Sequence, residues 1–436
     1  MNYYNLISFL GIFAIAGFAW LCSGSRKNVN WRVVFWGVSL QLVFALFIFV
    51  IPVGAKFFLF VNNIVVAVLD SATAGTKFVF GRLALPPGTV NEAGETSLGS
   101  FLAFQAFPTV IFFAALVSAL YYLRIMPLII RGFSYVFTKL MRISGAEALS
   151  ASSNIFVGIE SALVVKPHLK RMTKSELATV LTAGMGTIAS TVLALYVFYL
   201  QAQLPTIAGH LVSASLLSAP AAVVMAKLIV PETEKPLTMG LNIKPHYERE
   251  DNLIMAIING ANSGLKLLGG IVTLLIAFLG IMALLDLILG WFGGNLNNWF
   301  GWNIDWSFQS LLGYIFYPFA LLLGIPPADA FEIAKILGER PIVTEVVSYQ
   351  HLAKLLAENT LIHPRSAIIA SYALCGFAHV ASLAIFVGGV GALAPGRMKD
   401  LSRLGLRALL AATLACLMTG AVAGVFFTSS SILFGY

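Results

Sequence analysis

Two glutamates in this chain sit where a carboxylate is costly to keep. The first lies in Ser144-Gly-Ala-Glu-Ala-Leu-Ser-Ala-Ser-Ser-Asn154-Ile-Phe-Val-Gly158-Ile159-Glu160, a stretch too polar for an ordinary membrane span and flanked on both sides by basic residues. The second closes Pro327-Ala-Asp329-Ala, continued by Gly338-Glu-Arg-Pro-Ile-Val-Thr-Glu345. In a dry cavity, Glu160 and Glu345 would accept hydrogen bonds from a polar substrate, because polar groups left unpaired there are expensive. The structural alternatives are an ion pair, such as Glu345 with Arg340, or a carboxylate capping a half-helix. His379 lies mid-span beside Gly376; it would bond substrate hydroxyls, carry a coupling proton, or simply satisfy a backbone carbonyl. Ser382 either joins it or bonds back to its own helix, and Phe377 reads first as core packing. Asn154, Thr187 and the carbonyls of Val157 and Ile188 could form an oxygen cage for Na⁺ of the kind unwound backbone supplies in transporters; helix capping by Asn and Thr is the plainer use. No HExxH, CxxC pair or GxSxG is present. Gly389-Val-Gly391 follows a span rather than a strand, so it is not a dinucleotide loop.

The elements that must position these groups are membrane helices. The chain has 436 residues, 59% hydrophobic and 11% charged, with mean hydropathy +0.89. Soluble domains carry about a quarter charged residues. The net charge of +8 reads as cytoplasmic-loop bias rather than nucleic-acid binding. Cys22, Cys375 and Cys416 lie in apolar stretches without metal spacing and read as small buried hydrophobes. The apolar run 4–22 is followed, not preceded, by Arg26 and Lys27, the reverse of a signal peptide, so it is expected to be a retained first span with its N-terminus outside.

At roughly 20 apolar residues per crossing, about eight spans are expected, near 4–22, 32–53, 99–123, 176–200, 206–230, 267–292, 367–394 and 405–428. Residues 54–98 read as outer-surface structure and 126–141 as an interfacial helix. Basic residues from Arg26 to Arg32, Arg124 to Lys174, Lys227 to Lys235 and Arg397 to Arg407 fall on one side if both termini are outside, while Glu95, Asp305 and Asp329 fall opposite. The second half repeats the first: span, short amphipathic segment, polar hairpin, two more spans. A unit with three crossings must insert its second copy upside down, as in secondary transporters. The expected fold is therefore an all-α integral membrane protein with about eight transmembrane helices and two opposed re-entrant hairpins, 143–170 and 327–356, in an inverted repeat. Its divisions are an N-terminal scaffold segment (1–98), the first repeat (99–230), a cytoplasmic linker (231–266) and the second repeat (267–436).

With these residues in view, the sequence resembles the concentrative nucleoside transporters over nearly its whole length. Ser153-Asn-Ile-Phe-Val-Gly158, Thr173-Lys-Ser-Glu-Leu177, Ala373-Leu-Cys-Gly-Phe-Ala378, Gly388-Gly-Val-Gly391 with Ala394-Pro395, and the final span carry the resemblance. It implies a homotrimer in a bacterial inner membrane that is not an enzyme and needs no cofactor beyond a coupling ion. Na⁺ is favoured as that ion, with H⁺ the alternative. It also implies a nucleoside-like substrate, lipid contact and no nucleic-acid partner. Carried over by motif, Gly158, Ile159, Glu160, Val192, Glu345, Phe377, His379 and Ser382 would bind substrate, and Asn154, Val157, Thr187 and Ile188 would bind Na⁺. Three departures stand out. The family's Gly-Gln-Thr-Glu-Ser is here Gly158-Ile159-Glu160-Ser161, one residue shorter and lacking the glutamine and threonine that bond the base. Its Asn-Glu-Phe-Val-Ala-Tyr is Thr344-Glu345-Val-Val-Ser-Tyr349, and its Phe-Ala-Asn-Phe-Ser-Ser is Phe377-Ala-His379-Val-Ala-Ser382. The ribose-side acceptors are kept while base recognition is rebuilt. The same fold carrying a modified nucleoside or sugar derivative is the rival reading. An intramembrane enzyme using Glu160 and Glu345 as an acid/base pair on a nucleoside-linked lipid is a more distant one.

Overall fold

The computed structural model describes residues 3–91, 94–158, 160–247, 250–428 and 433. Among them the only β pairing is two isolated bridges, Val90 with Thr96 and Ser144 with Met239; the ordered elements are helices. The N-terminal part supplies α1 (Tyr3–Leu21), α2 (Trp31–Phe49) and α3 (Pro52–Phe80). A first unit follows: α4 (Leu102–Gln105), α5 (Phe107–Tyr122), amphipathic α6 (Ile125–Met141), hairpin legs α7 (Gly145–Ser153) and α8 (Ser161–Val164), then α9 (Lys174–Gly186), α10 (Ser190–Leu200) and α11 (Ile207–Ile229). The second unit runs α12 (Leu253–Phe300), α13 (Phe308–Leu322), hairpin legs α14 (Pro327–Glu339) and α15 (Glu345–Ala357), then α16 (Pro364–Ala373), α17 (Val380–Leu393) and α18 (Met398–Phe426). The order of elements is the same in both units.

In each unit the span after the hairpin is broken. Residues 187–189 interrupt α9 and α10, and residues 374–379 interrupt α16 and α17, so the expected continuous spans 176–200 and 367–394 are each two half-helices. Half-helix ends need caps, and the sequence provides them. Ser144 and Glu147 form a reciprocal capping box at the start of α7 (3.2 and 3.1 Å), and Thr173 and Glu176 do so at α9 (3.1 and 2.8 Å). In hairpin 2, Asp329 accepts the backbone N–H groups of Ile362 and His363 (2.9 and 3.0 Å), fixing the start of α16.

Four further sequence expectations change. Residues 52–80 are one continuous helix, long and apolar enough by length and composition to cross a membrane, where a less regular surface segment was expected; Pro52 fits the first helical turn, where its missing N–H costs nothing. The last part of the linker, from Leu253, is already α12, whose 48 residues span about 72 Å at ~1.5 Å per residue. Lys227, counted as a loop charge, is buried. Its ammonium pairs with Glu147 of hairpin 1 and lies 3.4 Å from Glu232 and 2.9 Å from Ser175 Oγ. Thr179 Oγ1 donates to the same Glu147 at 2.9 Å. Cys22, expected to be buried, is exposed because it lies just past the end of α1; Cys375 and Cys416 are buried as expected.

Lys227 therefore ties the first leg of hairpin 1 to α9 and α11, and a buried carboxylate stripped of its partner is strongly destabilising. Lys227→Ala is expected to lower unfolding stability by about 3–5 kcal/mol. The double variant Lys227→Met with Glu147→Gln, which removes the charge and keeps an acceptor for the cap, should recover most of that loss. Thermal unfolding in detergent measures both; equal losses would mean that the uncompensated charge is not the cause.

Candidate functional site

The site is built where the two helix breaks cross. Gly376 sits at φ +142°, a conformation side chains rarely adopt, and a Cβ there would lie 2.7 Å from Cys416 Sγ and 2.9 Å from the Gly186 carbonyl carbon. The second break thus passes against the first with room only for glycine. Each hairpin tip then pairs with the half-helix beyond its break in the same way. The Phe156 carbonyl of hairpin 1 accepts from Ser190 N–H (3.3 Å), the first residue of α10. The Pro341 carbonyl of hairpin 2 accepts from Val380 N–H (2.9 Å), the first residue of α17. Ser190 Oγ adds a second bond to Phe156 (2.5 Å), and Ser215 Oγ of α11 donates to the Ile155 carbonyl (2.8 Å) and reaches that of Ile188 (3.5 Å).

Around the second break, Glu345, His379 and Ser382 come together. Glu345 is the first residue of α15 and is buried; Oε1 accepts from the Tyr196 hydroxyl at 2.7 Å, and Oε2 lies 3.0 Å from His379 Nε2. His379 is the N-cap of α17, its Nδ1 accepting from Ser382 N–H at 3.2 Å while Ser382 Oγ accepts from His379 N–H at 3.3 Å. An Nδ1 that accepts carries no proton, so the ring hydrogen is on Nε2, the nitrogen nearer Glu345, whose Oε2 has no aligned hydrogen-bond partner. Ser382 Oγ also contacts the carbonyls of Phe377 and His379, holding the turn closed. Arg340 does not pair with Glu345; its Nη1 donates to the Ala373 carbonyl at 2.7 Å, bracing the other end of the same break. Tyr196 was missed in the sequence because a tyrosine inside Leu195–Leu200 reads as one more apolar core ring. Its stacking on Tyr349 (4.4 Å between centroids) is indeed core packing, and only the hydroxyl reaches the site.

The proposed cation ligands flank the first break. Asn154 follows α7, and its Nδ2 donates to the Ser150 carbonyl at 2.9 Å, leaving Oδ1 buried with no hydrogen-bond partner. Thr187 and Ile188 are the break itself, with Thr187 Oγ1 bonded back to Ala183 at 2.9 Å. Val157 is buried at the hairpin tip. A buried amide oxygen without a partner is chemically a ligand for a hard cation rather than a soft one.

Glu160 is not part of the Glu345 cluster. It opens into a cavity of about 300 Å³ between hairpin 1, α5 and α12, bordered by Tyr121, Tyr122, Thr191 and His246. Gly158 packs the tip against the break, where an added Cβ would meet Ala189 Cβ at 3.1 Å. Ile159 lies outside the described residues. Val192 is buried on α10, between Thr191 at the cavity and Tyr196 at Glu345, and Phe377 is half-buried. α10 therefore runs from the cavity at Thr191 to the Glu345 cluster at Tyr196.

Paired hairpins, crossed helix breaks and buried polar side chains at the crossing define a secondary-transporter architecture. Comparison with known proteins gives the family. Residues 10–83 and 210–424 match the N- and C-terminal regions of the Na⁺-dependent nucleoside transporters, and 103–203 match a nucleoside-recognition Gate region. The chain is 34% identical to the nucleoside permease NupC of Helicobacter pylori over 98% of this chain and 99% of that one. It is 38% identical to solute carrier family 28 member 3 of Mus musculus over 97% of this chain, and spans 59% of that protein's length. Among solved structures, CNTnw in an inward-facing substrate-bound state aligns at TM-score 0.84 and 32% identity, covering 97% of this chain and 98% of that one. A substituted CNTnw in an outward-facing state aligns at TM-score 0.86, 31% identity and 98% of each chain. The chain belongs to the concentrative, Na⁺-dependent nucleoside transporter family, and is a multi-pass membrane protein.

His379 serves the helix as well as Glu345, which separates two substitutions. Asparagine caps a helix well, so His379→Asn should keep stability within about 0.5 kcal/mol, whereas His379→Leu should lose ~1 kcal/mol or more. Thermal melts of the two variants check this; equal stability would show that the Nδ1 cap contributes nothing.

Proposed function

We propose that this protein is a symporter that takes up nucleosides with a cation, Na⁺ in preference to H⁺, as a homotrimer in a bacterial inner membrane. Both termini lie outside, and the two repeats are inserted with opposite orientation. The hairpins with the broken spans α9–α10 and α16–α17 form the moving unit, and α5 and α12 form the wall it moves against. Alternating access carries the substrate between the two faces.

The observation that carries this reading is the treatment of Glu345. The Tyr196 hydroxyl donates to one oxygen of its carboxylate at a helix break, and the other oxygen, buried and without a hydrogen-bond partner, lies 3.0 Å from His379 Nε2 beside Ser382. That is an acceptor kept ready for sugar hydroxyls, which replace existing donors when substrate enters. The Na⁺ preference rests on two points. Asn154 Oδ1 is a buried oxygen in need of a partner. His379 is poorly arranged as a proton carrier, since a proton arriving at Nδ1 would remove the acceptor that caps α17. Asn154 Oδ1, Thr187 and the carbonyls of Val157 and Ile188 would hold the ion, whose charge would draw the hairpin tip and the break together.

Proteoliposomes with an inward Na⁺ gradient should take up radiolabelled nucleoside saturably, and replacing Na⁺ by choline should abolish concentration. Glu345→Gln should raise KM by roughly 10- to 100-fold, the equivalent of losing about 1.5–3 kcal/mol of hydrogen bonding to a charged group. Uptake unchanged in choline overturns the sodium assignment. An unaltered KM in Glu345→Gln overturns the role of Glu345.

A further inference from the structure

We propose that the cavity at Glu160 reads the base, and that it selects guanine, whose edge presents two adjacent N–H donors. The inference rests on the nucleoside-carrier reading and deepens it by naming the base.

Glu160 differs from the other carboxylates near the site in facing a cavity from a hairpin tip. Glu345 is enclosed, with Oε1 accepting from Tyr196 and Oε2 3.0 Å from His379 Nε2, and Glu250, which also borders the cavity, accepts from Asn259 Nδ2 at 2.9 Å. Glu160 occupies the N-cap position of α8, yet its side chain makes no capping bond. It lies folded near Gly158, with Oε2 3.6 Å from the position a Cβ there would take, and its face toward the cavity is exposed. Among the described residues bordering the cavity there is no asparagine, glutamine or arginine. Lys166 of hairpin 1 borders it too, as do His246, Thr191 and Ser263, and Glu160 is the carboxylate that the hairpin tip itself presents, with the backbone N–H groups of Gly158 and Glu160 within its reach. The rings of Tyr121, Tyr122 and Tyr247 supply flat apolar surface for a base to lie on.

An ionised carboxylate only accepts, and its two oxygens sit side by side. Of the common bases, guanine alone matches that pattern: N1–H and one hydrogen of the 2-amino group lie parallel, as the two N–H groups of an arginine fork do. Uracil offers a single N–H between two carbonyls, which the carboxylate would repel. Adenine and cytosine place an amino group beside a ring nitrogen lone pair, so one oxygen would face an acceptor. Hypoxanthine keeps N1–H but lacks the second donor. The neutral groups Gln and Thr, which the family motif would place at this tip, accept and donate and so tolerate several edges; their absence removes that tolerance.

Distance along α10 is compatible with one ligand spanning both half-sites. Thr191 borders the cavity and Tyr196 bonds Glu345. Five residues of helix separate them by about 7.5 Å of rise at ~1.5 Å each, comparable with the separation of base edge and sugar hydroxyls in one nucleoside.

The test is a competition series in proteoliposomes with a Na⁺ gradient, using guanosine, inosine, adenosine, cytidine and uridine against a guanosine tracer, with each nucleoside also supplied as its own tracer. Guanosine is expected to compete at least about tenfold better than inosine, which differs by the single 2-amino donor. In Glu160→Gln the gap should collapse to within about twofold, because the amide offers one acceptor and one donor. Glu160→Asp, which keeps the acceptor pair and retracts it, should weaken guanosine and preserve the order. Glu345→Gln should weaken all five alike. Equal competition by guanosine and inosine in the unsubstituted protein overturns the proposal and leaves the carrier reading standing, as does a guanosine preference that survives Glu160→Gln. Absence of saturable uptake of all five overturns both.

Discussion

Everything at the centre of this molecule depends on how two interrupted helices are made tolerable inside a membrane. Backbone that leaves the helix at that depth must find partners within the protein. Here each interruption is repaired by a hairpin tip. Phe156 answers the amide of Ser190, and Pro341 answers the amide of Val380, so the tips and the breaks complete one another. The crossing is close enough that Gly376 has no alternative, wedged between Cys416 and Gly186. A hairpin that moved away from its half-helix would expose unsatisfied amides, which gives a physical reason for hairpin and broken span to behave as one body.

The same economy of partners distributes the charges. Glu147 is matched by Lys227, Asp329 by the amides of α16, and Glu345 by Tyr196 and His379. These carboxylates hold helices in place, and Glu345 does so while keeping lone pairs for a ligand. Glu160 is the exception, placed at a tip and facing a cavity. The two carboxylates thus lie toward opposite ends of α10, one enclosed at Tyr196 and the other at the cavity beside Thr191.

How much of this was legible beforehand follows from what each signal measures. The hairpins could be found because small residues, carboxylates and same-sign basic flanks violate the pattern of a crossing helix. His379 and Ser382 stood out because polar groups in an apolar run are few. The break positions were less visible. Thr187-Ile188-Ala189 and Leu374 to Phe377 are apolar enough to pass for continuous helix, and what accompanies their opening is the tertiary contact of the hairpin tip in the same unit. Lys227 was misread for a related reason: hydropathy locates the end of a span but not the depth of a side chain that finds a carboxylate nearby. Tyr196 was hidden because its ring obeys the core pattern and only its hydroxyl departs from it.

Histidine at 379 ties these threads into one constraint on chemistry. An asparagine there could cap α17 through its oxygen and offer an amide hydrogen in the other direction. The imidazole does the same with Nδ1 and Nε2, but across a longer, rigid ring whose two nitrogens are fixed in role by the cap. Substituting one for the other therefore preserves the helix start while pushing the donor further toward Glu345, where it lies 3.0 Å from Oε2.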